Sequence, residues 1–172
     1  AIRDTLESRI TKDTVLPSAF GHNAEDIFKN TKHIQIIACG TSYNAGLVAK
    51  YWLEDIAKTP THIEVASEYR YRNPIILDNT LFITISQSGE TADTLEALKA
   101  VKKRSKDKNI HTLTICNSAE SSLTRISELT FLTHAGPEIG VASTKAFTTQ
   151  LVSLALLSVA IGRCHNQVSS AQ

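Results

Sequence analysis

The chain has 172 residues, of which 42% are hydrophobic and 20% charged, and its 18 basic and 17 acidic residues leave a formal net charge of +1. A domain of this size buries about 70% of its unfolded surface, so it needs neither metal nor disulfide to fold. The balanced charge gives no support for nucleic acid or a membrane as partner. The cysteines at 39, 116 and 164 are odd in number and form no C-x-x-C pair, which predicts a reducing, cytoplasmic location.

The first 32 residues are polar and mixed in charge, and no glycine-hydroxyl turn of the kind described below occurs among them. We interpret 1–32 as a lead-in or linker segment, 33–162 as the folded domain and 163–172 as a polar tail. The chain begins without methionine and contains none. We therefore expect it to be a processed or excised piece of a longer protein.

Five segments rich in β-branched and apolar residues are predicted as strands: 33–38, 61–66, 81–85, 110–116 and 129–133. Helical patterns separate them, so we predict an α/β fold with a doubly wound, five-stranded parallel sheet and helices on both faces. In a flavodoxin-like order 2-1-3-4-5, the turns after the first and third strands flank the crevice where such sheets bind ligands.

The helices are predicted from apolar positions spaced three and four residues apart. A short helix at 67–72 is expected to be capped by Ser67. The last helix is apolar nearly all round, so it either lies deep in the fold or packs against another chain, and we favour contact with a second subunit or domain. The remaining predicted helices are 45–56, 91–106, 121–127 and, as the last one, 143–161.

Two turns combine glycine with hydroxyl residues between a strand and a helix. The sequence SQSGET at 86–91 follows the third strand, and CGTS at 39–42 follows the first. The first amides of a helix lack intrahelical partners and carry positive partial charge, so hydroxyl groups beside them predict a phosphate site. A third glycine-rich loop, 135–145, follows the fifth strand and could fold over that pocket.

The predicted phosphate turn at 86–91 contains no lysine or arginine. Three hydrogen bonds of about 1.5 kcal/mol each would give a dissociation constant on the order of a millimolar. That affinity suits an abundant phosphorylated metabolite. Nucleoside triphosphates and dinucleotides are disfavoured, because neither G-x-x-x-x-G-K-[ST] nor G-x-G-x-x-G occurs.

Several other residues could carry chemistry but have simpler interpretations. Glu90 and Glu138 could act as general bases, but we favour contacts of Glu90 with free helix amides and a role for Glu138 in ordering its own loop. Lys145 is expected to be solvated or paired, and Cys39 to be a packed thiol. The basic cluster at 99–108 is interpreted as solvated surface, and the histidine spacing predicts no metal site. No cofactor is expected.

Four motifs together resemble the first sugar isomerase (SIS) module of the glucosamine-6-phosphate synthase family, also called glutamine:fructose-6-phosphate aminotransferases (isomerising). They are CGTS at 39–42, ASEYRYR at 66–72, SQSGET at 86–91 and EIGVASTKAFT at 138–148. The resemblance covers roughly residues 33–161. It implies that the pocket binds fructose 6-phosphate for amination and isomerisation to glucosamine 6-phosphate.

The resemblance also implies roles for individual residues. Five match phosphate-binding positions of the family: Ser42, Ser86, Gln87, Ser88 and Thr91. Three match positions near the sugar: Thr41, Val141 and Ser143.

Other parts of such an enzyme have no counterpart in this sequence. The family's glutaminase domain and second SIS domain, which carry its catalytic groups, are expected as missing partner domains, and a homodimer is expected. This chain alone is therefore predicted to bind substrate without turning it over. Two other hypotheses stay open: a stand-alone sugar-phosphate isomerase with catalytic groups across a subunit interface, and a regulatory phosphosugar sensor.

Overall fold

The computed structural model describes residues 1–138 and 144–169. Its sheet has five strands, all parallel, in the order β2-β1-β3-β4-β5. This confirms the predicted doubly wound sheet and its strand order. The strands are β1 His33–Ala38, β2 Thr61–Val65, β3 Thr80–Ile85, β4 Ile110–Cys116 and β5 Leu129–Leu132.

Helices cover both faces of the sheet. Those on one face share a hydrophobic core with β1 and β3, and those on the other form a second, smaller core. The first face carries α2 Ala24–Asn30, α3 Gly40–Asp55 and α7 Lys145–Cys164, and the second carries α4 Ala66–Tyr71, α5 Ala92–Arg104 and α6 Ser122–Ile126. A short helix α1, Ile2–Leu6, and a 3-10 helix, Pro17–Phe20, precede α2.

The burial of the central strand, β3, explains its continuously apolar and β-branched sequence. Every residue of β3 is buried, as expected for a strand covered on both faces, whose sequence is then continuously apolar or β-branched. The edge strand β2 is only partly buried. Two layers of helix around one sheet thus follow directly from where the apolar residues lie.

Two local predictions were wrong. Helix α3 begins at Gly40 instead of near residue 45, so Thr41 and Ser42 lie in its first turn. Ser67 does not cap α4, because that helix begins at Ala66 directly after the extended residue Val65, and no side chain caps it. The physical reason is the same in both cases: the helix starts within two residues of the strand end, so the residues predicted to precede it form its first turn.

The lead-in contributes to the main hydrophobic core. Phe20 and Phe28 are fully buried, and the Phe20 ring centroid lies 5.5 Å from that of Phe28 and 4.7 Å from that of Phe131 in β5. The 3-10 helix and α2 therefore close one end of this face of the sheet. The boundary at residue 32 stays a prediction.

Helix α7 packs mainly against α3. Among the described residues it is the one helix with the length and hydropathy to cross a membrane, but more than half of it is buried inside the chain. This burial within the fold accounts for most of its apolar surface. Contact with a second subunit or domain stays a prediction.

Candidate functional site

The candidate site lies where the chain leaves β1 and β3 in opposite directions. These two strands are neighbours, and Ala38 at the end of β1 pairs with Ile85 at the end of β3. Helix α3 then packs on one face of the sheet and α5 on the other. The two glycine-hydroxyl turns therefore start side by side at the point where strand order reverses, which is where parallel sheets of this kind bind ligands.

The loop at 86–91 is folded by its own hydroxyl groups. Ser86 is 2% exposed, and its Oγ accepts the N–H of Gly89 at 3.1 Å and lies 2.9 Å from Thr91 Oγ1. Ser88 is exposed, and its Oγ accepts the N–H of Glu90 at 3.1 Å. Ser86 thus shapes the loop from within, while Ser88 lies on its open side.

The open amides of this loop favour an anion. No acceptor for the N–H groups of Gln87 and Ser88 occurs among the described residues. The N-terminus of α5 follows directly, with Thr91 as its N-cap and no side chain capping it. Unpaired amides at a helix start attract negative charge, so the local geometry suits a phosphate group.

Helix α6 supports the loop from behind. The N–H of Leu123 donates to the carbonyl of Gly89 at 3.1 Å, and the N–H of Ser122 donates to Glu90 Oε1 at 2.6 Å. Hydrogen bonding from the Ser122 side chain, and next from its backbone amide, lowers the pKa of Glu90. Glu90 does bind a helix amide as interpreted, but the amide belongs to α6 and not to its own helix.

The lowered pKa of Glu90 predicts a pH effect on stability. A carboxylate whose pKa is lower in the folded state stabilises the fold above its unfolded pKa, about 4.3, and loses that contribution as pH falls through the folded value. We expect the stability of Glu90→Gln to change less across this acidic pH range than that of the wild type. Thermal unfolding between neutral pH and about pH 3 measures it, with Glu120→Gln as an exposed-carboxylate control. Parallel acid profiles for Glu90→Gln and the wild type would contradict the assignment.

Glu138 and Lys145 organise the start of α7. Glu138 Oε1 accepts the N–H groups of Thr144 at 2.7 Å and Lys145 at 2.9 Å, and Lys145 Nζ donates to the carbonyl of Pro137 at 2.7 Å. These contacts agree with a role for Glu138 in ordering its own loop. The predicted site residues Val141 and Ser143 lie outside the described residues.

The first turn of α3 places two predicted site residues differently. Thr41 is exposed and Ser42 is 8% exposed. Ser42 Oγ accepts a hydrogen bond at 3.0 Å from Nε2 of Gln150, a residue of α7 that the sequence analysis did not select. The available signal was a glutamine within a largely apolar helix, since a glutamine side chain is rarely buried without a hydrogen-bond partner.

The remaining polar features lie elsewhere. Among the described residues no group of His, Cys, Asp and Glu is arranged to hold a metal ion. The basic cluster is partly engaged: Lys99 pairs with Glu96 at 2.8 Å, and Lys102 donates to the carbonyl of Ile126 at 2.6 Å. A cavity of about 260 Å³ lies at the amino-terminal ends of β1 and β3, away from the crevice.

Comparison with known proteins identifies the family. A family profile described as SIS domain matches residues 27–160. The chain is 56% identical over 163 residues to a glutamine–fructose-6-phosphate aminotransferase [isomerizing] from Idiomarina loihiensis, covering 95% of this chain and 26% of that protein. A second such aminotransferase, from Pseudomonas putida, is 58% identical over 94% of this chain and 26% of its own length. The chain thus spans about a quarter of the length of the curated relatives it matches.

A solved structure agrees with the sequence relatives. The C-terminal domain of glucosamine-fructose-6-phosphate aminotransferase from Francisella tularensis superposes with a TM-score of 0.92 at 48% identity, covering all of this chain and 47% of that one. The chain therefore corresponds to about half the length of that domain, and it belongs to the SIS domain family.

Proposed function

We propose that this SIS domain binds a phosphosugar, fructose 6-phosphate in particular, as one module of a glutamine–fructose-6-phosphate aminotransferase that forms glucosamine 6-phosphate. The observation that carries the proposal is the pair of glycine-hydroxyl turns at the adjoining ends of β1 and β3. The names of the relatives supply the sugar. A neutral cradle of amides and hydroxyls supplies the site for its phosphate.

In the proposed binding mode the phosphate lies on the loop 86–91. The amides of Gln87 and Ser88 and the exposed hydroxyl of Ser88 donate to its oxygens, and Thr91 joins from the N-cap of α5. Ser86 acts mainly by holding the loop in shape. The sugar extends towards Thr41, with Val141 and Ser143 proposed as further contacts.

We propose further that the chain alone binds its ligand without turning it over. Both carboxylates nearest the crevice, Glu90 and Glu138, accept backbone amides and hold loops in place. These bonds give both carboxylates a role in holding backbone, which supports assigning the general base of the reaction to another part of the enzyme. The glutaminase domain, the second SIS domain and a second copy of the protein are the proposed partners that complete the enzyme.

Calorimetry on the wild type and Ser88→Ala tests the proposed site. We expect weak binding of fructose 6-phosphate and inorganic phosphate and no binding of fructose. Ser88→Ala should bind both anions roughly 10-fold more weakly or worse, because it loses one hydrogen bond to a charged group. Ser18→Ala, an exposed serine in the 3-10 helix, is the matched control and should bind as the wild type does.

Two results would contradict the proposal. Equal binding of fructose and fructose 6-phosphate would show that the phosphate is not the anchor. Interconversion of fructose 6-phosphate and glucose 6-phosphate by the purified chain would show that it is a complete isomerase instead of a binding module.

A further inference from the structure

We propose that Gln150 is a positioning residue that sets the direction of the Ser42 hydroxyl, so that this hydroxyl donates its proton to the bound phosphosugar. The inference rests on the proposed function, because it assigns a task to a residue behind the proposed site. It is carried by one contact across the α3–α7 interface, by the burial of both residues and by an unpartnered oxygen on Gln150.

The contact joins two helices that are distant in sequence. Gln150 Nε2 lies 3.0 Å from Ser42 Oγ, across a separation of 108 residues. Gln150 is 1% exposed and Ser42 8% exposed. Because water has little access to this hydrogen bond, it does not compete with Gln150 as a donor to Ser42. The bond therefore fixes the position of the glutamine amide relative to the first turn of α3.

The direction of the bond decides what Ser42 can do. A serine hydroxyl has one proton to donate and two lone pairs that accept. Gln150 donates to the oxygen, so the Ser42 proton is not used in this contact, and no acceptor for it occurs among the described residues. A hydroxyl that is already accepting is left to donate outwards, which is the role that a phosphate oxygen requires of it.

The oxygen of the Gln150 amide indicates that packing alone does not account for a glutamine at this position. Its Oε1 is buried and has no hydrogen-bond partner among the described residues. Leaving a buried acceptor unpaired is unfavourable, whereas an apolar side chain of the same shape would pack there without that cost. The oxygen of the amide is therefore unfavourable at this position, and the contact that the amide makes is the one from its nitrogen to Ser42.

A double-mutant cycle on fructose 6-phosphate binding tests the inference. Gln150→Met keeps the length and packing of the side chain and removes the amide. We expect it to weaken binding by about 3- to 10-fold, as one hydrogen bond to a charged ligand is lost from alignment. In a Ser42→Ala background the same change should weaken binding less than about 2-fold, because the hydroxyl it directs is gone.

Stability and a neighbouring residue provide the controls. Gln150→Met removes both the buried unpaired oxygen and the hydrogen bond to Ser42, which affect stability in opposite directions, so it should melt close to the wild-type temperature. Ser153→Ala, one turn further along α7, removes a buried hydroxyl whose one partner within the described ranges is the carbonyl of Thr149. It should leave binding unchanged, which separates the Ser42 contact from general disturbance of the helix.

Each other outcome overturns the inference. Wild-type affinity in Gln150→Met, or equal weakening with and without the Ser42 hydroxyl, would show that the contact does not direct ligand binding. If both Gln150→Met and Gln150→Leu fail to fold, the amide is structural. If these variants fold and the wild type binds no sugar phosphate, the proposed function fails together with the inference, whereas wild-type binding with an unaffected Gln150→Met removes the inference alone.

Discussion

Replacing Phe20 by alanine is expected to lower the free energy of unfolding by about 3–5 kcal/mol. The side chain is fully buried, and its ring packs against Phe28 and Phe131 with centroid distances of 5.5 and 4.7 Å. Alanine would leave a cavity where the 3-10 helix, α2 and β5 meet. Since domains are stable by only about 5–15 kcal/mol, chemical denaturation followed by circular dichroism should show a clear shift of the midpoint.

An exposed apolar residue of the same segment is the matched control for Phe20. Ile2 is 47% exposed, so Ile2→Ala should change stability by no more than about 0.5 kcal/mol. A loss below about 1 kcal/mol in Phe20→Ala would mean that the lead-in only rests on the fold. A large loss would place the physical start of the domain well before residue 32.

The sheet could be predicted from sequence because its signal is local. Strand β3 is continuously apolar or β-branched and buried along its whole length, and the other strands are separated from it by helical patterns. The role of the lead-in could not be predicted in this way. Phe20 and Phe28 lie in short segments whose other residues are mostly polar. Their burial depends on β5 and α7, which are more than a hundred residues further along the chain.

The candidate site, like the fold, could be predicted from sequence only in part. Turn chemistry indicated the crevice, since glycine and hydroxyl residues directly follow β1 and β3. It could not show which groups face a ligand. Ser86 bonds inwards to its own loop, Glu90 bonds to an amide 32 residues away, and Ser42 is held by Gln150. The pairings of Glu90 and Ser42 arise from packing between elements distant in sequence, so no sequence spacing indicates them.

Gly89→Ala is expected to disrupt the phosphate loop. Gly89 has φ +69°, where an L-residue costs about 1–2 kcal/mol. A methyl group there would lie 2.1 Å from Ser121 Oγ and 2.4 Å from Ser121 Cβ, so the loop and the start of α6 would have to separate. We expect a total loss of about 2–4 kcal/mol in unfolding free energy, and at least roughly 10-fold weaker binding of fructose 6-phosphate as the amides lose their alignment.

Two further variants separate the causes of this loss. Gly136→Ala has a similar φ of +73°, and no heavy atom of the described residues lies within 4 Å of the new methyl group. It should therefore cost only the conformational part, about 1–2 kcal/mol. Ser121→Gly removes both atoms that clash, and glycine is nearly as good an N-cap as serine. Combined with Gly89→Ala it should restore much of the stability and the binding. If the double variant is as poor as Gly89→Ala alone, contact with α6 is not what shapes the loop, and backbone conformation at residue 89 is the sole requirement.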